Sequence, residues 1–259
     1  MVPPPDPWPD WRRERDYLHL LRADRSAFAW EWLRRDETYR AEWAGRGGRA
    51  DASGARRWGL HAYVDPSLPV PLARPLWRRE VFPFVLEVEA EEAGGDADRF
   101  DIGRLASLAT VVKSRGGEEH LLLSDGLRGI RLDVREGSIC GGPVRLRYRL
   151  AGLAAVEAPL LVLRRLVALW RRGRFSQTLH AGEVRARRWI AMLRAQDGLA
   201  GGATQRELAQ MLVGGDASLD RWRVAAPTVR SRVQRLAHGA RRMRGSGYLS
   251  LLGSAGGDR

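Results

Sequence analysis

The sequence predicts an α+β fold with a small N-terminal helical segment, a small central antiparallel β unit and a C-terminal tri-helical helix-turn-helix domain. Three observations support this prediction. Apolar residues recur at helical spacing near both ends of the 259-residue chain. Between residues 105 and 150, short runs of alternating apolar and polar residues are separated by turn-forming residues. The chain is 44% hydrophobic, which is enough to bury a core.

Residues 1–44 are predicted to form the helical segment, because aromatic and apolar side chains recur there at helical spacing. Helices are expected near Trp11–Leu21, near Ser26–Arg34 and from Asp36 onward. Trp30 and Trp32 belong to a dense aromatic cluster, for which two interpretations remain. The cluster packs on its own chain, which is the favoured interpretation, or it forms a protein-binding surface, since aromatic residues are enriched at interfaces.

A linker and a small β unit are predicted for the middle of the chain. Residues 45–75 are rich in glycine, proline and polar residues, and their first part is typical of a flexible linker. Residues 76–158 form the β unit, which includes an acidic loop at Glu89–Asp101. Its strand candidates are Val81–Val88, Ala109–Lys113, His120–Leu123, Ile130–Val134 and Val144–Leu150. Arginine alternates with other residues in the last candidate, so one face is basic. That face is merely solvated, which is the commoner case, or it contacts nucleic acid.

Residues 159–259 are predicted to form the helix-turn-helix domain. A helix over Pro159–Arg172 is predicted to lead into it. This stretch is apolar, but it is too short and too charged to span a bilayer. The first helix of the domain is expected from Val184 to Ala195, where apolar residues recur at helical spacing. It is predicted to end at Asp197-Gly198, since glycine commonly follows the last turn of a helix.

A capping box marks the start of the middle helix. In this pattern the Thr204 hydroxyl accepts from the amide of Glu207, and the Glu207 carboxylate accepts from the amide of Thr204. The helix is expected to bury Leu208, Met211 and Leu212 and to stop at Gly214-Gly215. The link from Val213 to Thr228 is much longer than the turn of three or four residues in a standard helix-turn-helix. A short helical turn around Leu219, with Trp222 in the core, is predicted within it.

The third helix is predicted to begin near Pro227-Thr228, because proline is favoured in the first helical turn. Its apolar stripe consists of Val229, Val233, Leu236, Ala240 and Met243. Polar side chains off that stripe are suited to the major groove, where arginine reads guanine and glutamine reads adenine. The predicted DNA-binding residues are Thr228, Arg230, Ser231, Arg232, Gln234, Arg235, Arg241 and Arg242, with Thr204, Gln205 and Arg206 at the start of the middle helix. A basic amphipathic helix is as often only a solvated face.

Positive charge is concentrated in the last third of the chain. Residues 1–160 contain 25 basic and 25 acidic residues, whereas residues 161–259 contain 19 basic and 6 acidic residues, which accounts for the whole formal net charge of +13. This distribution is typical of a phosphate-binding domain attached to a neutral one. We therefore expect residues 161–259 to bind double-stranded DNA unaided and residues 1–160 to contact RNA polymerase or a regulator.

Several other classes of protein are disfavoured. The single cysteine, Cys140, excludes an internal disulfide and a cysteine-rich metal site, and the five histidines lack metal-ligand spacing, so no cofactor is expected. No signal peptide or membrane-spanning run is visible, so the protein is expected to be soluble and cytoplasmic, without a membrane partner. His238, Arg241, Arg242 and Tyr248 look like part of the active site of tyrosine recombinases. The tyrosine follows too closely for that class, and no enzymatic activity is predicted.

Both ends of the chain resemble known bacterial families. Around the helix-turn-helix, the matching residues are Leu193–Gly198, Gly202–Ala209, Trp222, Arg230, Val233–Leu236, Gly239, Met243, Gly245, Gly247-Tyr248 and Leu251-Leu252. These residues resemble the domain of unknown function 2285. At the N-terminus, Tyr17 and Phe28–Arg40 resemble its usual companion, the domain of unknown function 6499. One departure is Val213-Gly214, where the family often has Phe-Gly.

The resemblance implies a role on proteobacterial integrative and conjugative elements. Two-part proteins of this build resemble transcriptional activators that switch on excision and transfer of the element, whereas short single-domain relatives act as antiactivators. The first interpretation is therefore a sequence-specific DNA-binding activator that recruits RNA polymerase. The second is a protein-binding regulator that uses the helix-turn-helix as an interaction surface. The basic last third favours the first. Further expected partners are an antiactivator, which the resemblance implies, or a second copy of the chain.

Overall fold

The fold is described from a computed structural model, which covers residues 8–49, 52, 54–95, 99–214 and 226–253. It confirms the predicted α+β class. The α-helices are α1 (Arg25–Leu33), α2 (Glu37–Gly45), α3 (Glu157–Arg172), α4 (Ala186–Ala200), α5 (Gln205–Ala209), α6 (Ala226–Met243) and α7 (Leu249–Gly253). Short 3-10 helices span Glu14–Arg22, Ala55–Trp58 and Ile102–Leu105, and a π-helical turn, Gln210–Gly214, follows α5. No helix in these ranges is long and apolar enough to cross a membrane.

The strands form one six-stranded sheet. They are β1 (Val85–Glu92), β2 (Arg99–Phe100), β3 (Ala109–Lys113), β4 (Glu119–Ser124), β5 (Gly129–Glu136) and β6 (Val144–Arg149), in the order β2-β6-β1-β5-β4-β3. The predicted antiparallel arrangement needs one correction, because β1 and β5 pair in parallel while the other neighbours are antiparallel. The parallel pairing sets Leu86 beside Leu132 and Val88 beside Val134. The apolar residues of β1 and β5 therefore lie side by side at the centre of the sheet, where both strands are buried.

The prediction for the first strand is wrong at both ends. The Val81–Val88 candidate is replaced by β1, which begins at Val85, after Pro83, since proline cannot donate a ladder hydrogen bond. The strand then continues to Glu92, through residues predicted to form an acidic loop. Local composition misled the prediction, because these glutamates pair with the arginines of β6 across the sheet.

The two faces of the sheet are buried in different ways. On one face, Leu132 and Val134 of β5 pack under Val162 and Leu166 of α3 in an apolar core. On the other face, Arg131 and Asp133 of β5 are also buried. Side chains alternate along a strand, so the apolar and the charged residues of β5 necessarily point in opposite directions. The charged face is covered by residues 60–77, which bridge to the sheet through the Trp77 carbonyl, an acceptor from Arg131 Nε at 3.1 Å.

The N-terminal aromatic cluster packs on its own chain, as the favoured interpretation predicted. Trp30 and Trp32 are 0% and 3% exposed. They belong to one core with Trp189 of α4 and Tyr248, next to α7. Phe28 meets Trp189 edge to face, with 4.9 Å between the ring centroids. The N-terminal and C-terminal helices therefore share a single hydrophobic core, and the tryptophans cannot form an exposed protein-binding surface.

A buried ionic network joins α1 to α4. Arg35 donates from Nε and Nη2 to the two carboxylate oxygens of Asp197, at 2.6 and 2.7 Å. It also donates from Nη1 to Glu31 Oε2 at 2.5 Å. Tyr17 donates its hydroxyl to Asp197 Oδ2 at 2.7 Å. Burial opposes ionisation of Glu31, but the charges of Arg35 and Arg34 outweigh it and lower the pKa of Glu31. We refer to Tyr17, Glu31, Arg34, Arg35 and Asp197 as the clamp.

The clamp explains why one helix end was predicted wrongly. The first helix of the domain does not end at Asp197-Gly198, because α4 runs through both residues to Ala200. Asp197 is held in the helix by the clamp. A Cβ added to Gly198 would lie 2.7 Å from Leu208 and 3.0 Å from Trp11, so this glycine serves close packing rather than termination. Gly202, with φ of 77°, adopts the left-handed conformation just after the helix.

Candidate nucleic-acid interface

The predicted capping box is present at the start of α5. The Thr204 hydroxyl accepts from the Glu207 amide at 3.3 Å, and Glu207 Oε2 accepts from the Thr204 amide at 2.8 Å. The capped helix packs Leu208 and Ala209 against Val233 of α6 and against Trp11. The cap therefore fixes where α5 begins, and its buried face fixes how α6 lies against it.

Burial of the middle helix departs from the prediction at one residue. Leu208 is buried and Leu212 is half-buried, but Met211 is 46% exposed. The reason is the π-helical turn that follows α5, because its wider hydrogen-bond ring rotates the next residues away from the α-helical stripe. The described helical turns end at Gly214. The turn predicted around Leu219 and Trp222 lies outside the described residues.

The apolar stripe of the third helix is confirmed. Val233, Ala240 and Met243 are buried, and Val229 and Leu236 are half-buried. The 18-residue helix begins at Ala226, next to the predicted Pro227-Thr228 start. The stripe packs on α4 and α5, so the opposite side of α6 is left facing outward.

Most of the predicted DNA-binding residues lie on that outward side. The exposed residues of α6 are Arg230, Arg232, Gln234, Arg235, His238, Arg241 and Arg242, whereas Ser231 is half-buried and accepts from Arg235 Nη1 at 3.0 Å. The backbone of Thr228 lies in the first turns of the same helix. Thr204, Gln205 and Arg206 are exposed at the start of α5. The Thr204 hydroxyl and amide are both engaged by the cap.

The arginines of α6 differ from those of β6 in how their charge is balanced. On β6, Arg145 and Arg147 form ion pairs with Glu91 at 2.6 and 2.9 Å, and Arg149 pairs with Glu89 at 3.2 Å. On α6, no described carboxylate lies within ion-pair distance of the exposed arginines Arg230, Arg232, Arg235, Arg241 and Arg242. The basic face of β6 is therefore a solvated, charge-balanced surface, whereas the positive charge of the α6 face is not balanced by described carboxylates.

Two grooves beside α6 add arginines from α4. One groove, of about 940 Å³, lies between α4 and α6 and is lined by Arg188 and by Gln234, His238 and Arg242. A second, of about 480 Å³, is lined by Arg187 and Arg188 together with Arg232 and Arg235 of α6. The sequence prediction did not include Arg187 and Arg188. A signal for them was present, because they lie off the Ala186, Trp189 and Ile190 stripe of their own helix.

Tyr248 does not have the setting of a recombinase nucleophile. Its side chain is 1% exposed, and its hydroxyl donates to the Trp58 carbonyl at 2.9 Å. Burial raises the pKa of Tyr248, which opposes formation of the reactive phenolate. Gly247 allows the tight approach that seats this residue, because a Cβ there would lie 1.8 Å from the Arg242 carbonyl oxygen. The tyrosine is thus a core residue under α6.

Two protein-family models match the chain. Residues 149–253 match the model described as "T6SS, Transcription factor, DNA binding domain". Residues 10–61 match the model described as "Proteobacterial transcriptional regulator-like domain". The two matches indicate a DNA-binding transcriptional regulator. The first contains all of α3–α7 and the second contains α1 and α2, so the matched segments include both sides of the clamp. No curated protein matches the chain.

A separate polar cluster lies on the charged face of the sheet of this regulator. Among the described residues, one group has metal-ligand chemistry: the ligand atoms of His61, His120 and Asp133 lie within 4.8 Å of one another. His120 Nδ1 is 2.7 Å from Asp133 Oδ1, which also accepts from Arg131 Nη2 at 3.0 Å. The register places His120 opposite Asp133. Sequence analysis missed the cluster, although Arg131 and Asp133 alternate with apolar residues in a manner that signals a second buried face.

Buried histidines give a prediction for the pH dependence of stability. Burial and the charge of Arg131 lower the pKa of His61 to about 3, and burial and Arg165 lower the pKa of His180 to about 4. In the unfolded chain a histidine has a pKa of about 6.5. As pH falls below that value, the unfolded state takes up protons before the folded state does, so the free energy of unfolding decreases. Urea titrations at about pH 7.5 and about pH 5.5 should show a loss of about 2–3 kcal/mol from these two residues together, roughly 1.3 kcal/mol from each.

The matched variants are His61→Asn and His180→Asn. For each, the quantity compared with the wild type is the change in the free energy of unfolding between the two pH values. Each substitution removes one group that titrates in the unfolded chain, so it should reduce the loss at the lower pH. An unchanged pH dependence in both variants would contradict the assignment.

Proposed function

We propose that the protein is a sequence-specific, double-stranded-DNA-binding activator of mobile-element excision and transfer genes, with α6 as its reading helix. The observation that carries the proposal is the outward face of α6, whose arginines have no carboxylate partner among the described residues. DNA offers a dense row of phosphates, so binding there would neutralise this face and release condensed counterions. The family match over residues 149–253 supports the same partner.

The proposed interface divides its contacts into two kinds. Arg230, Gln234 and Arg235 read base edges in the major groove, since arginine pairs with guanine and glutamine with adenine. Phosphate contacts, which position the protein without reading sequence, come from residues at the edges of the interface. These are Gln205, Arg206, Thr228, Ser231, Arg232, Arg241 and Arg242, to which the grooves add Arg187 and Arg188. Thr204 acts through its cap, which positions Gln205 and Arg206.

The proposed partners other than DNA are supported by fewer features of the structure. Activation requires contact with RNA polymerase, and the resemblance implies an antiactivator as a regulator. A second copy of the chain is a further proposed partner. The description of the matched DNA-binding family names T6SS, which favours T6SS genes as a second class of target. Selection of bound genomic fragments by the full-length protein, followed by sequencing, would distinguish transfer genes from T6SS genes as the targets.

A protein-binding regulator is the alternative function, because exposed arginines also contact acidic proteins. The salt dependence of DNA affinity distinguishes the two functions. Each phosphate contact changes the slope of log affinity against log salt by about −0.9, and the interface supplies on the order of 4–8 such contacts. Cognate and scrambled duplexes should therefore both weaken steeply with salt, while the cognate duplex keeps its preference. Equal binding of the two duplexes at every salt concentration would support the protein-binding alternative.

Arg230→Ala tests the interface against a matched control. Removing a base-reading arginine should weaken binding to the cognate duplex by about 1–3 kcal/mol and relax preference at one base pair. The control is Arg147→Ala, which also removes one exposed positive charge, but from the ion-paired face of β6. The cognate duplex is first selected from a random library with the wild-type protein, and affinities are then measured by electrophoretic titration.

The control should bind with nearly wild-type affinity, because its positive charge is already balanced by Glu91. If both variants lose affinity equally, the effect arises from net charge alone and α6 is not the reader. If neither variant loses affinity, Arg230 does not contact the duplex. The same comparison extended to Arg187→Ala should show weaker binding with unchanged sequence preference, as expected for a phosphate contact.

A further inference from the structure

The structure contains a large polar cavity that DNA binding does not use. It has a volume of about 990 Å³, at the upper end of the range typical of small-molecule sites. Its floor includes His61, His120 and Asp133, and its rim is formed by the turn after β3 and by Arg78 and Arg79. Most of the lining comes from residues 78–135, which neither family model covers. The cavity is therefore a feature of the central sheet rather than of the DNA-binding helices.

The floor buries more charge than packing requires. The rings of His61 and His120 stack with 3.7 Å between their centroids, and Arg131 Nη2 lies 3.4 Å from His61 Nε2. Arg131 and Asp133 are only 2% and 3% exposed. A buried ion pair contributes little net stability compared with apolar residues of the same size. Titratable groups gathered in this way at the base of a cleft are more typical of a ligand site.

The charges around the cavity favour an anionic ligand. Burial and then the charge of Arg131 lower the pKa of His61, while the Asp133 carboxylate acts in the opposite direction. The cationic lining residues are Arg78, Arg79, Lys113, Arg115 and Arg135, against Glu80, Glu118 and Asp133. Four of these cations form ion pairs: Arg78 with Glu80, Arg79 with Glu87, Lys113 with Glu119 and Arg135 with Glu118. Arg115 is exposed and has no ion-pair partner among the described residues, so it is a cation ready for a ligand.

The same geometry disfavours a metal ion at His61 and His120. A histidine nitrogen binds a metal along a lone pair in the plane of its ring. The two rings face each other, with 3.7 Å between their centroids and 32° between their planes, so ring faces rather than ring edges meet. In addition, Arg131 already occupies the position of a cation beside Asp133. A metal bound at Asp133 would have to displace this guanidinium.

We propose that this cavity binds a small organic anion whose carboxylate or phosphate group contacts Arg115 and whose remaining polar atoms face His61 and His120. Arginine suits both groups, because its planar fork forms paired hydrogen bonds with either. The ring nitrogens of a histidine can donate or accept a hydrogen bond, so the two histidines orient the polar atoms of the ligand. The site is separate from the α6 interface and does not depend on the DNA-binding proposal.

Histidine imidazole resonances of the full-length protein test the proposal without DNA. The probes are pyrophosphate and citrate, which separate phosphate from carboxylate recognition. Each of the five histidines is assigned by its own substitution. We expect saturable shifts of the His61 and His120 signals with at least one probe. Arg115→Gln should weaken that response about tenfold, because it removes one charge-assisted contact from an exposed position where folding is not at risk.

The exposed His238 of α6 is an internal reporter for unspecific binding. It lines the basic α4–α6 groove, so an anion attracted only by the positive helices would shift His238 and leave His61 and His120 unchanged. That result would overturn the proposal. A response to Zn²⁺ alone, with none to either anion, would replace it with a metal site. Shifts of His61 and His120 that Arg115→Gln leaves undiminished would overturn the assigned anion contact.

Discussion

Arg35→Ala is expected to destabilise the protein by about 3–5 kcal/mol, the cost typical of removing one partner from a buried ion pair. Arg35 is the only residue of the clamp that bonds both Glu31 and Asp197. Without it, Asp197 keeps its bond from Tyr17 but loses the two hydrogen bonds that the Arg35 guanidinium donates. Arg34 still reaches Glu31 at 3.2 Å and offsets part of the loss. Urea unfolding of the full-length protein measures the change.

The matched control is Arg22→Ala, an exposed arginine in the same N-terminal segment. As a surface substitution it should change the free energy of unfolding by no more than about 0.5 kcal/mol. A double-mutant cycle with Asp197→Ala should give a coupling energy of about 0.5–3 kcal/mol, as contacting residues do. A coupling near zero, or equal effects of Arg35→Ala and Arg22→Ala, would show that the clamp does not hold α1 to α4.

A fragment of residues 149–259 is expected to lose cooperative folding altogether. This differs from the sequence-based expectation that residues 161–259 bind DNA unaided. In the fragment, Trp189 would lose its contact with Phe28, and Leu208 and Val233 would lose Trp11. Loss of one large aromatic partner alone typically costs about 3–5 kcal/mol, which is a large part of the stability of a domain.

Circular dichroism and thermal melting of the fragment give the readout. We expect helical signal with a broad, non-cooperative melt and little binding to the selected duplex. Adding a second fragment of residues 1–148 should restore part of the cooperativity, because it supplies the missing side of the core. A sharp melt and wild-type binding by the fragment on its own would contradict the prediction.

Local sequence signals predicted most of the elements near the candidate interface. The capping box at Thr204, the apolar stripe of α6 and the β4 and β5 strands depend on residues within a few positions of one another. The exposed α6 face followed from the same periodicity. What the periodicity did not show was which basic face is charge-balanced, since that depends on the pairing of β6 with β1.

Features that depend on distant residues were missed or predicted wrongly. Gly198 reads locally as a helix stop, yet it is buried against Trp11, almost two hundred positions earlier. The polar floor depends on the register that places His120 opposite Asp133, and on a loop that brings His61 to them. Neither contact is encoded in a short window, so single-sequence reasoning could locate the residues but not bring them together.

The clamp has a consequence for building chimeric regulators. A swap of the DNA-binding part alone would transplant Asp197 and the packing face of α4 without the α1 partner to which both are fitted. Transplanting residues 10–77 together with 149–253 keeps the pair intact, including the loop that bonds Glu31 and Arg34. Retargeting to a new operator needs far less, because the outward residues of α6 lie off the shared core. Operator choice can therefore be redesigned on one helical face, while the two ends of the chain are exchanged only as a unit.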